Sequence, residues 1–156
     1  MDFLSEAERI EPEIVKTRRA FHLHPELAYH EQATAKLVAE KLEAMGIETK
    51  RGVGGTGVLG ILKGAKKGRV VALRADMDGL PVQEMADVEF RSKSDGVMHA
   101  CGHDSHIAML LGAARILADH RAELKGTVKF IFQPAEEAAE AGGGARPMIE
   151  AGVLQK

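Results

Sequence analysis

The order of apolar patterns along the chain constrains its fold more than any other feature of the sequence. Apolar side chains spaced three and four residues apart predict helices, and short apolar runs bounded by Gly or Lys predict strands. In chain order, the patterns predict two helices (about residues 12–23 and 31–45), two strands (58–62, and 70–73 with Ala75), a helix (about 105–118), a buried strand (126–133) and a short terminal helix. This order predicts the α/β class, with a layered sheet flanked by helices.

The segments that begin or join these elements carry further signals. Pro12 suits the first turn of the first helix, and Asp104 or Ser105 is the expected N-cap of the third helix. Residues 52–57, GVGGTG, predict a flexible turn, because they lack the GK[ST] ending and the following helix of a phosphate-binding loop. The polar stretch 76–97 predicts a long loop, and long loops in compact domains are often functional.

The composition argues against several classes of protein. Of the 156 residues, 45 % are hydrophobic and only 4 % aromatic, which predicts a mainly aliphatic core. The formal net charge is −2, and no basic run indicates nucleic-acid binding. The N-terminal segment is too acidic for a signal peptide, and no apolar run approaches the roughly 20 residues of a membrane span. Cys101 is the only cysteine, so we expect a cytoplasmic protein with a free thiol.

Three polar motifs stand next to predicted elements. RADMD (74–78) and PAEE (134–137) follow strands, and HACGHDSH (99–106) precedes the third helix. Ligands of α/β sheets bind beyond the carboxyl ends of the strands. The three motifs are therefore expected to meet in one cleft.

Cys101 and His103 combine ligand chemistry with a spacing that suits a shared metal ion. Side chains at positions i and i+2 of an extended segment point to the same face. Thiolate, imidazole and carboxylate are ligands for zinc and similar divalent metals, and Glu137 offers a third donor. Three protein ligands with an open position are typical of a catalytic metal, and the adjacent Glu136 is then a candidate general base acting on water.

Cys101 also has two alternative interpretations. A nucleophilic thiol needs a base within hydrogen-bond reach and a third group that orients the base. His103 is too close along the chain for that role, whereas His99 or His106 could be placed well. Cys101 could also be an inert buried thiol.

The other polar residues have structural interpretations as well. His99 and His106 could cap or hydrogen-bond near the third helix, and Asp104 could orient a ligand histidine. The adjacent Glu136 and Glu137 could begin a solvated surface helix. The remaining structural alternatives are a surface ion pair between Arg74 and Asp76 and structural or surface roles for His22, His24 and His30.

Four motifs together resemble a known family. RRAFHLHPELAYHE, VVALRADMDGLPVQE, MHACGHDSHIAMLLGAARIL and GTVKFIFQPAEE occur in this order and spacing. They resemble the metal-dependent amidohydrolases, which include hippurate hydrolase, N-acyl-amino-acid deacylases, N-acetyldiaminopimelate deacetylase and plant hydrolases of indole-acetyl-amino-acid conjugates. The resemblance runs from about Arg18 to the end of the chain.

The resemblance implies a zinc-exopeptidase-like catalytic domain with two divalent metal ions, such as zinc, manganese, cobalt or nickel. Its implied substrate is a small N-acyl amino acid or a short peptide. The implied ligands are Cys101, His103 and Glu137. Glu136 matches the base that activates water, and Asp78 matches the acid that orients a ligand. Asp76 stands where the wider superfamily has a histidine ligand, so its role stays open, as do those of Asp104, His99 and His106.

Members of the resembled family are considerably longer. They supply two further metal-binding histidines after the PAEE motif, and they carry a smaller domain for dimerisation and closure, whereas no histidine follows His120 here. Residues 1–156 are therefore expected to be the N-terminal part of a catalytic domain, inactive alone, with an exposed sheet edge and an apolar patch. The full-length protein is expected to be a homodimer. The alternatives are a non-catalytic metal-binding fragment or pseudo-enzyme, and a plain α/β domain with structural polar motifs.

Overall fold

A mixed four-stranded sheet lies at the centre of the structure, a computed structural model that describes residues 2–155. The strands are β1 (Glu48–Val53), β2 (Gly57–Lys63), β3 (Lys66–Asp76) and β4 (Lys125–Gln133). The helices are α1 (Phe3–His22), α2 (Gln32–Ala44), α3 (His103–Asp119) and α4 (Ala145–Glu150), with a 3₁₀ turn at Ala139–Ala141. The strand order is β1-β2-β4-β3, and β4 runs antiparallel to β2 but parallel to β3. The predicted α/β architecture is confirmed.

The core lies mainly between the sheet and the helices α2 and α3. Val38 and Leu42 of α2 and Ile107 of α3 pack with Phe130 and Phe132 of β4, and all five are buried. Because neighbouring side chains of a strand point to opposite faces, the intervening Ile131 belongs to a second, smaller cluster. This cluster joins Leu59 and Ile131 to Met148 and Val153 near the C-terminus.

The first helix begins earlier than the prediction placed it. It starts at Phe3, where the Asp2 carboxylate accepts from the N–H groups of Leu4 and Ser5 at 3.1 and 3.4 Å. Pro12 lies inside the helix on its exposed side, where water can satisfy the carbonyl that the proline leaves unpaired. The prediction that Pro12 opens the helix was wrong, because the side-chain cap at Asp2 and burial of Ile10 stabilise an additional N-terminal segment.

The two edge strands differ most from the expectation. β1 was not predicted, since its sequence ETKRGV has no apolar run and its residues are mostly exposed. β3 is longer than predicted and also mostly exposed, with Val70 43 % and Val71 51 % accessible. Within residues 2–155, β3 therefore forms an exposed apolar edge, as expected from the sequence.

The third helix begins at His103, and its N-cap is Gly102 with φ +93°. The predicted N-cap at Asp104 or Ser105 was wrong, because Asp104 lies in the first turn and is fully buried among side chains of other elements. Residues 77–102 form the predicted long loop, with isolated bridges from Leu27 to Gly79 and from Leu80 to Met98.

None of the helices within residues 2–155 combines the length and apolar character needed to span a membrane.

Candidate metal centre

The RADMD and PAEE motifs leave the sheet side by side. Asp76 at the end of β3 pairs with Gln133 at the end of the parallel strand β4, and the next N–H, of Met77, donates to the Gln133 carbonyl at 2.9 Å. The carboxyl ends of parallel strands are where α/β sheets bind ligands. The structure thus brings together two of the three motifs by strand pairing alone.

Asp78 connects all three motifs. Its Oδ2 accepts from the N–H of Glu137 at 2.9 Å, and its main-chain oxygen lies 2.9 Å from Nδ1 of His103. Asp78 is 1 % exposed. Burial by itself would raise the pKa of Asp78, but hydrogen bonds from His103 and from the N–H groups of Glu137 and Glu136 outweigh it and lower that pKa. Asp78 is therefore an anion that holds both His103 and the PAEE turn.

His103 has one ring nitrogen engaged and the other directed to the glutamates. Its Nδ1 also lies 3.3 Å from Oδ1 of Asp78, whereas Nε2 lies 3.8 Å from Glu136 and 3.7 Å from Glu137. Burial opposes protonation, but the hydrogen bond that His103 donates to Asp78 and the charge of Asp76 raise the pKa of His103. A carboxylate at the far nitrogen is the arrangement that orients metal-binding histidines.

Cys101, His103 and Glu137 together form what we call the metal group. Their ligand atoms all lie within 4.8 Å of one another. In a tetrahedral site with ligand atoms about 2.0–2.3 Å from zinc, these atoms are roughly 3.3–3.8 Å apart, so a shift of about 1 Å by the exposed Cys101 would bring the three donors to one ion. Thiolate, imidazole and carboxylate fit zinc and similar divalent metals.

The carboxylates near Cys101 affect the pKa of its thiol. The pKa of Cys101 is raised most by a hydrogen bond with Glu137. Burial and the charges of Glu137 and Glu136 raise it further. A coordinated divalent cation reverses this balance, because thiols that bind such ions are deprotonated. The same acidic surroundings argue against a nucleophilic Cys101, which would need a lowered pKa.

A second group of possible donors shares His103. Asp76, His103 and His106 also have ligand atoms within 4.8 Å of one another. Because Asp78 engages Nδ1 of His103, only Nε2 is free, so this second group and the metal group compete for one nitrogen. Asp76 is already paired with Arg74, which donates to its Oδ2 at 3.2 Å. The ion pair of Arg74 and Asp76, which the sequence left as an alternative, is present, but Asp76 is buried rather than on the surface. Asp76 is therefore less available than Glu137.

Asp104 follows His103 directly, but its side chain belongs to a separate buried polar network. Its Oδ2 lies 2.7 Å from Nε of Arg18 and 2.7 Å from Nδ1 of His22. The other ring nitrogen of His22 lies 3.1 Å from Glu84, a loop residue whose second oxygen accepts from the Ser92 N–H at 2.6 Å. The network joins α1, α3 and the long loop.

The sequence did not predict this network, which we call the Asp104 network (Arg18, His22, Glu84 and Asp104). His22 was given only a structural or surface role, and Glu84 carried no signal. Burial would raise the pKa of Glu84, but the Ser92 N–H and His22 lower it. The partners of Asp104 are 82 and 86 positions away in sequence, a separation that no local pattern reveals.

His99 is also buried. It is 3 % exposed, and neither ring nitrogen has a hydrogen-bond partner among the side chains and backbone of residues 2–155. Burial lowers the pKa of His99 to about 4. Neighbouring charges have smaller effects on this pKa: Asp104 and Asp78 raise it, whereas His22 and His103 lower it. His99 is therefore neutral near pH 7 and lies outside both donor groups.

Thiol, imidazole and carboxylate donors gathered at the carboxyl ends of parallel strands are typical of an α/β protein of the metallohydrolase class. The model of the peptidase family M20/M25/M40 matches residues 72–156, more than half of the chain. The chain belongs to this family. The predicted family relationship is confirmed, and relatives in this family are enzymes that act on amide bonds.

Similar proteins extend well beyond the region that they share with this chain. The thermostable carboxypeptidase 2 of Saccharolobus solfataricus is 55 % identical over 151 residues, and the N-acyl-L-amino acid amidohydrolase of Geobacillus stearothermophilus is 47 % identical over 148 residues. These alignments cover 96 % and 94 % of this chain but 38 % and 39 % of the relatives. The chain thus spans less than half the length of these curated relatives.

A solved structure shows the same relationship. The crystal structure of a dinuclear metal-binding peptidase of the M20 family from Bacillus subtilis superposes with a TM-score of 0.88 at 48 % identity. The superposition covers 95 % of this chain and 41 % of that one. This similarity confirms the fold and supports divalent metals as the cofactor class.

Proposed function

We propose that this chain is the N-terminal part of the catalytic domain of a metal-dependent amidohydrolase that cleaves the amide bond of N-acyl amino acids or short peptides. The observation that carries the proposal is the metal group, with Glu136 next to it on the PAEE turn. The names of two relatives, a carboxypeptidase and an N-acyl-L-amino acid amidohydrolase, support this substrate class.

The proposed mechanism assigns one task to each side chain. Cys101, His103 and Glu137 would hold a divalent ion, which would supply a Lewis acid for the scissile carbonyl and for the attacking water. Glu136 takes the proton of the water and later delivers it to the leaving amine. Asp78 keeps His103 in the orientation that leaves Nε2 free for the ion.

The rest of the proposed protein lies outside this chain. Further metal ligands and a smaller domain for dimerisation and closure are proposed to belong to the longer protein, in line with the coverage of its relatives. The ion is proposed to be zinc, manganese, cobalt or nickel. A reducing compartment such as the cytoplasm suits a free Cys101 that serves as a ligand.

Metal content is the first experimental test. Elemental analysis of the chain purified without chelator should find about one equivalent of a divalent metal. One equivalent is expected because the metal group holds one ion. Cys101→Ala should lose that metal, and Met109→Ala is a control because Met109 is exposed and is not one of the donors. Equal metal content in all three proteins would remove Cys101 from the ligand set.

A second candidate function is metal binding without catalysis. The observation that favours it is that the three donors gather within a chain spanning 38 % of a relative. Hydrolysis of N-acetyl and N-benzoyl amino acids separates the two candidates. Metal binding without hydrolysis by the protein at its full natural length would favour the non-catalytic function.

A further inference from the structure

The turn that follows β4 contains an uncommon backbone conformation. Ala135 has φ +50°, and Tyr29, with φ +66°, is the only other non-glycine residue within 2–155 that has a positive φ. L-residues rarely adopt this left-handed region, so neighbouring groups must hold the chain there. Ala135 is fully buried and directly precedes Glu136. Its conformation therefore sets the direction in which Glu136 and Glu137 leave the sheet.

Both residues with a positive φ donate to the same carboxylate. Oε1 of Glu31 accepts from the N–H of Tyr29 at 3.1 Å and from the N–H of Ala135 at 2.8 Å. Its Oε2 accepts from the hydroxyl of Thr56 at 2.5 Å. Glu31 is 0 % exposed, and these donors are all neutral groups. A buried carboxylate is costly unless it is hydrogen-bonded, and these three bonds offset that cost.

A second buried carboxylate acts on the other side of Glu136. The N–H of Glu137 donates to Asp78, so the N–H groups before and after Glu136 are each held by an acid. The carbonyl of Ala135 also accepts from the N–H of Gly144 at 3.2 Å. The main chain that carries both glutamates thus has fixed hydrogen bonds on either side.

We propose that Glu31 is a positioning residue of the candidate centre. Through the N–H of Ala135, its carboxylate holds the PAEE turn in the conformation that presents Glu136 and Glu137 to the metal group. The claim that this turn serves the metal group rests on the proposed function. The claim that Glu31 holds the turn does not. Glu31 acts on the PAEE turn only through the main-chain N–H of Ala135, since Tyr29 and Thr56 are its other hydrogen-bond donors.

Amide hydrogen exchange in the metal-free chain tests this effect. In Glu31→Ala, the N–H of Glu137 should exchange on the order of tenfold faster, relative to the core N–H of Phe130, because the turn is released. The Glu137 N–H bonds to Asp78 and not to Glu31, so its exchange reports the position of the turn. Thr56→Val is the matched control, because it removes another donor to Glu31 and keeps the bond to Ala135.

Two results would overturn the proposal. One is equal acceleration at Glu137 and Phe130 in Glu31→Ala, which indicates general destabilisation. The other is no acceleration at Glu137. If Glu31→Ala does not fold, Glu31→Gln replaces it, because a neutral oxygen accepts more weakly and should give a smaller acceleration confined to the turn. No acceleration of exchange at the turn in Glu31→Gln would likewise overturn the proposal.

A double variant tests whether the left-handed conformation is what Glu31 maintains. Glycine adopts a positive φ without steric cost, so Ala135→Gly added to Glu31→Ala should recover part of the protection at Glu137. No recovery would show that Glu31 does not act through the conformation of Ala135.

Kinetics of the protein at its full natural length separate this proposal from the proposed function. Glu31→Ala should lower kcat with little change in KM, and Thr56→Val should change neither. An unchanged kcat in Glu31→Ala overturns the role of Glu31 and leaves the hydrolase intact. If the unchanged protein neither binds metal nor hydrolyses amides, the proposed function fails, while the exchange data still decide whether Glu31 holds the turn.

Discussion

His103 and Asp104 are neighbours in the first turn of α3, yet their side chains lie in two different kinds of polar region. His103 faces a partly open, acidic group in which Cys101 is exposed and the side chain of Glu136 is 42 % exposed. Asp104 is 0 % exposed and paired with Arg18 and His22. The comparison teaches that a buried charge held by partners from other elements indicates a structural network, whereas donors gathered at an exposed position indicate a site for chemistry.

The largest effect is expected from a substitution that breaks the Asp104 network. Asp104→Ala leaves Arg18 and His22 without their shared anion, and breaking a buried pair costs about 3–5 kcal/mol. Chemical unfolding of the metal-free chain should show this loss in the free energy of unfolding. Glu137→Gln in the metal group should change that free energy by no more than about 0.5 kcal/mol.

Equal losses in both variants would contradict the distinction between the two regions. So would a loss below about 1 kcal/mol for Asp104→Ala, a cost that is ordinary for a single substitution.

The next effect concerns turnover rather than stability. Glu136→Gln in the protein at its full natural length should lower kcat by roughly 10²–10⁴-fold, because the amide cannot accept the proton of water. Metal content and the free energy of unfolding should stay unchanged, since Glu136 is outside the metal group. Retained turnover would show that another residue is the base.

A smaller effect is expected from the acid that orients His103. Asp78→Asn should weaken metal affinity by about 10–100-fold, the range typical of partners that orient metal ligands. Asp76→Asn is the control, because Arg74 already occupies the Asp76 carboxylate. Titration with Zn²⁺ or Co²⁺ measures both. A greater loss in Asp76→Asn would instead favour the donor group that contains Asp76 and His106.

The most gradual effect is the pH dependence of stability in the metal-free chain. The pKa of His99 is lowered from 6.5 to about 4, so the unfolded chain binds its proton first. The free energy of unfolding should therefore fall as the pH decreases from 6.5 to about 4. The pKa of His103 is raised, so its contribution is complete below pH 6.5 and is lost as the pH rises through the folded value.

These two histidines together predict a stability maximum near pH 6.5, the ordinary pKa of both. His99→Leu should flatten the acid side of the profile between pH 6.5 and about 4 and leave the other side unchanged. Chemical unfolding at a series of pH values measures this, and an unchanged acid side would mean that His99 is not responsible for it.

The sequence was sufficient for elements with strong local patterns. The helix α2 and the strands β2 and β4 lie within one or two residues of their predicted bounds, because apolar periodicity records which face is buried. The strand β1 was missed, since an exposed edge strand needs no apolar pattern. The early start of α1 was missed because Pro12 indicates a first helical turn, whereas the N-cap is at Asp2.

The sequence by itself determined the chemistry available to the candidate centre, because thiol, imidazole and carboxylate groups stand in three short motifs next to predicted elements. Only the tertiary structure decided which of these groups meet. It separated Asp104 from His103, and it placed Glu31 on the turn that carries Glu136, from 104 positions away in sequence. The physical reason is that hydrogen bonds between distant segments depend on strand pairing and helix packing, which no local pattern encodes.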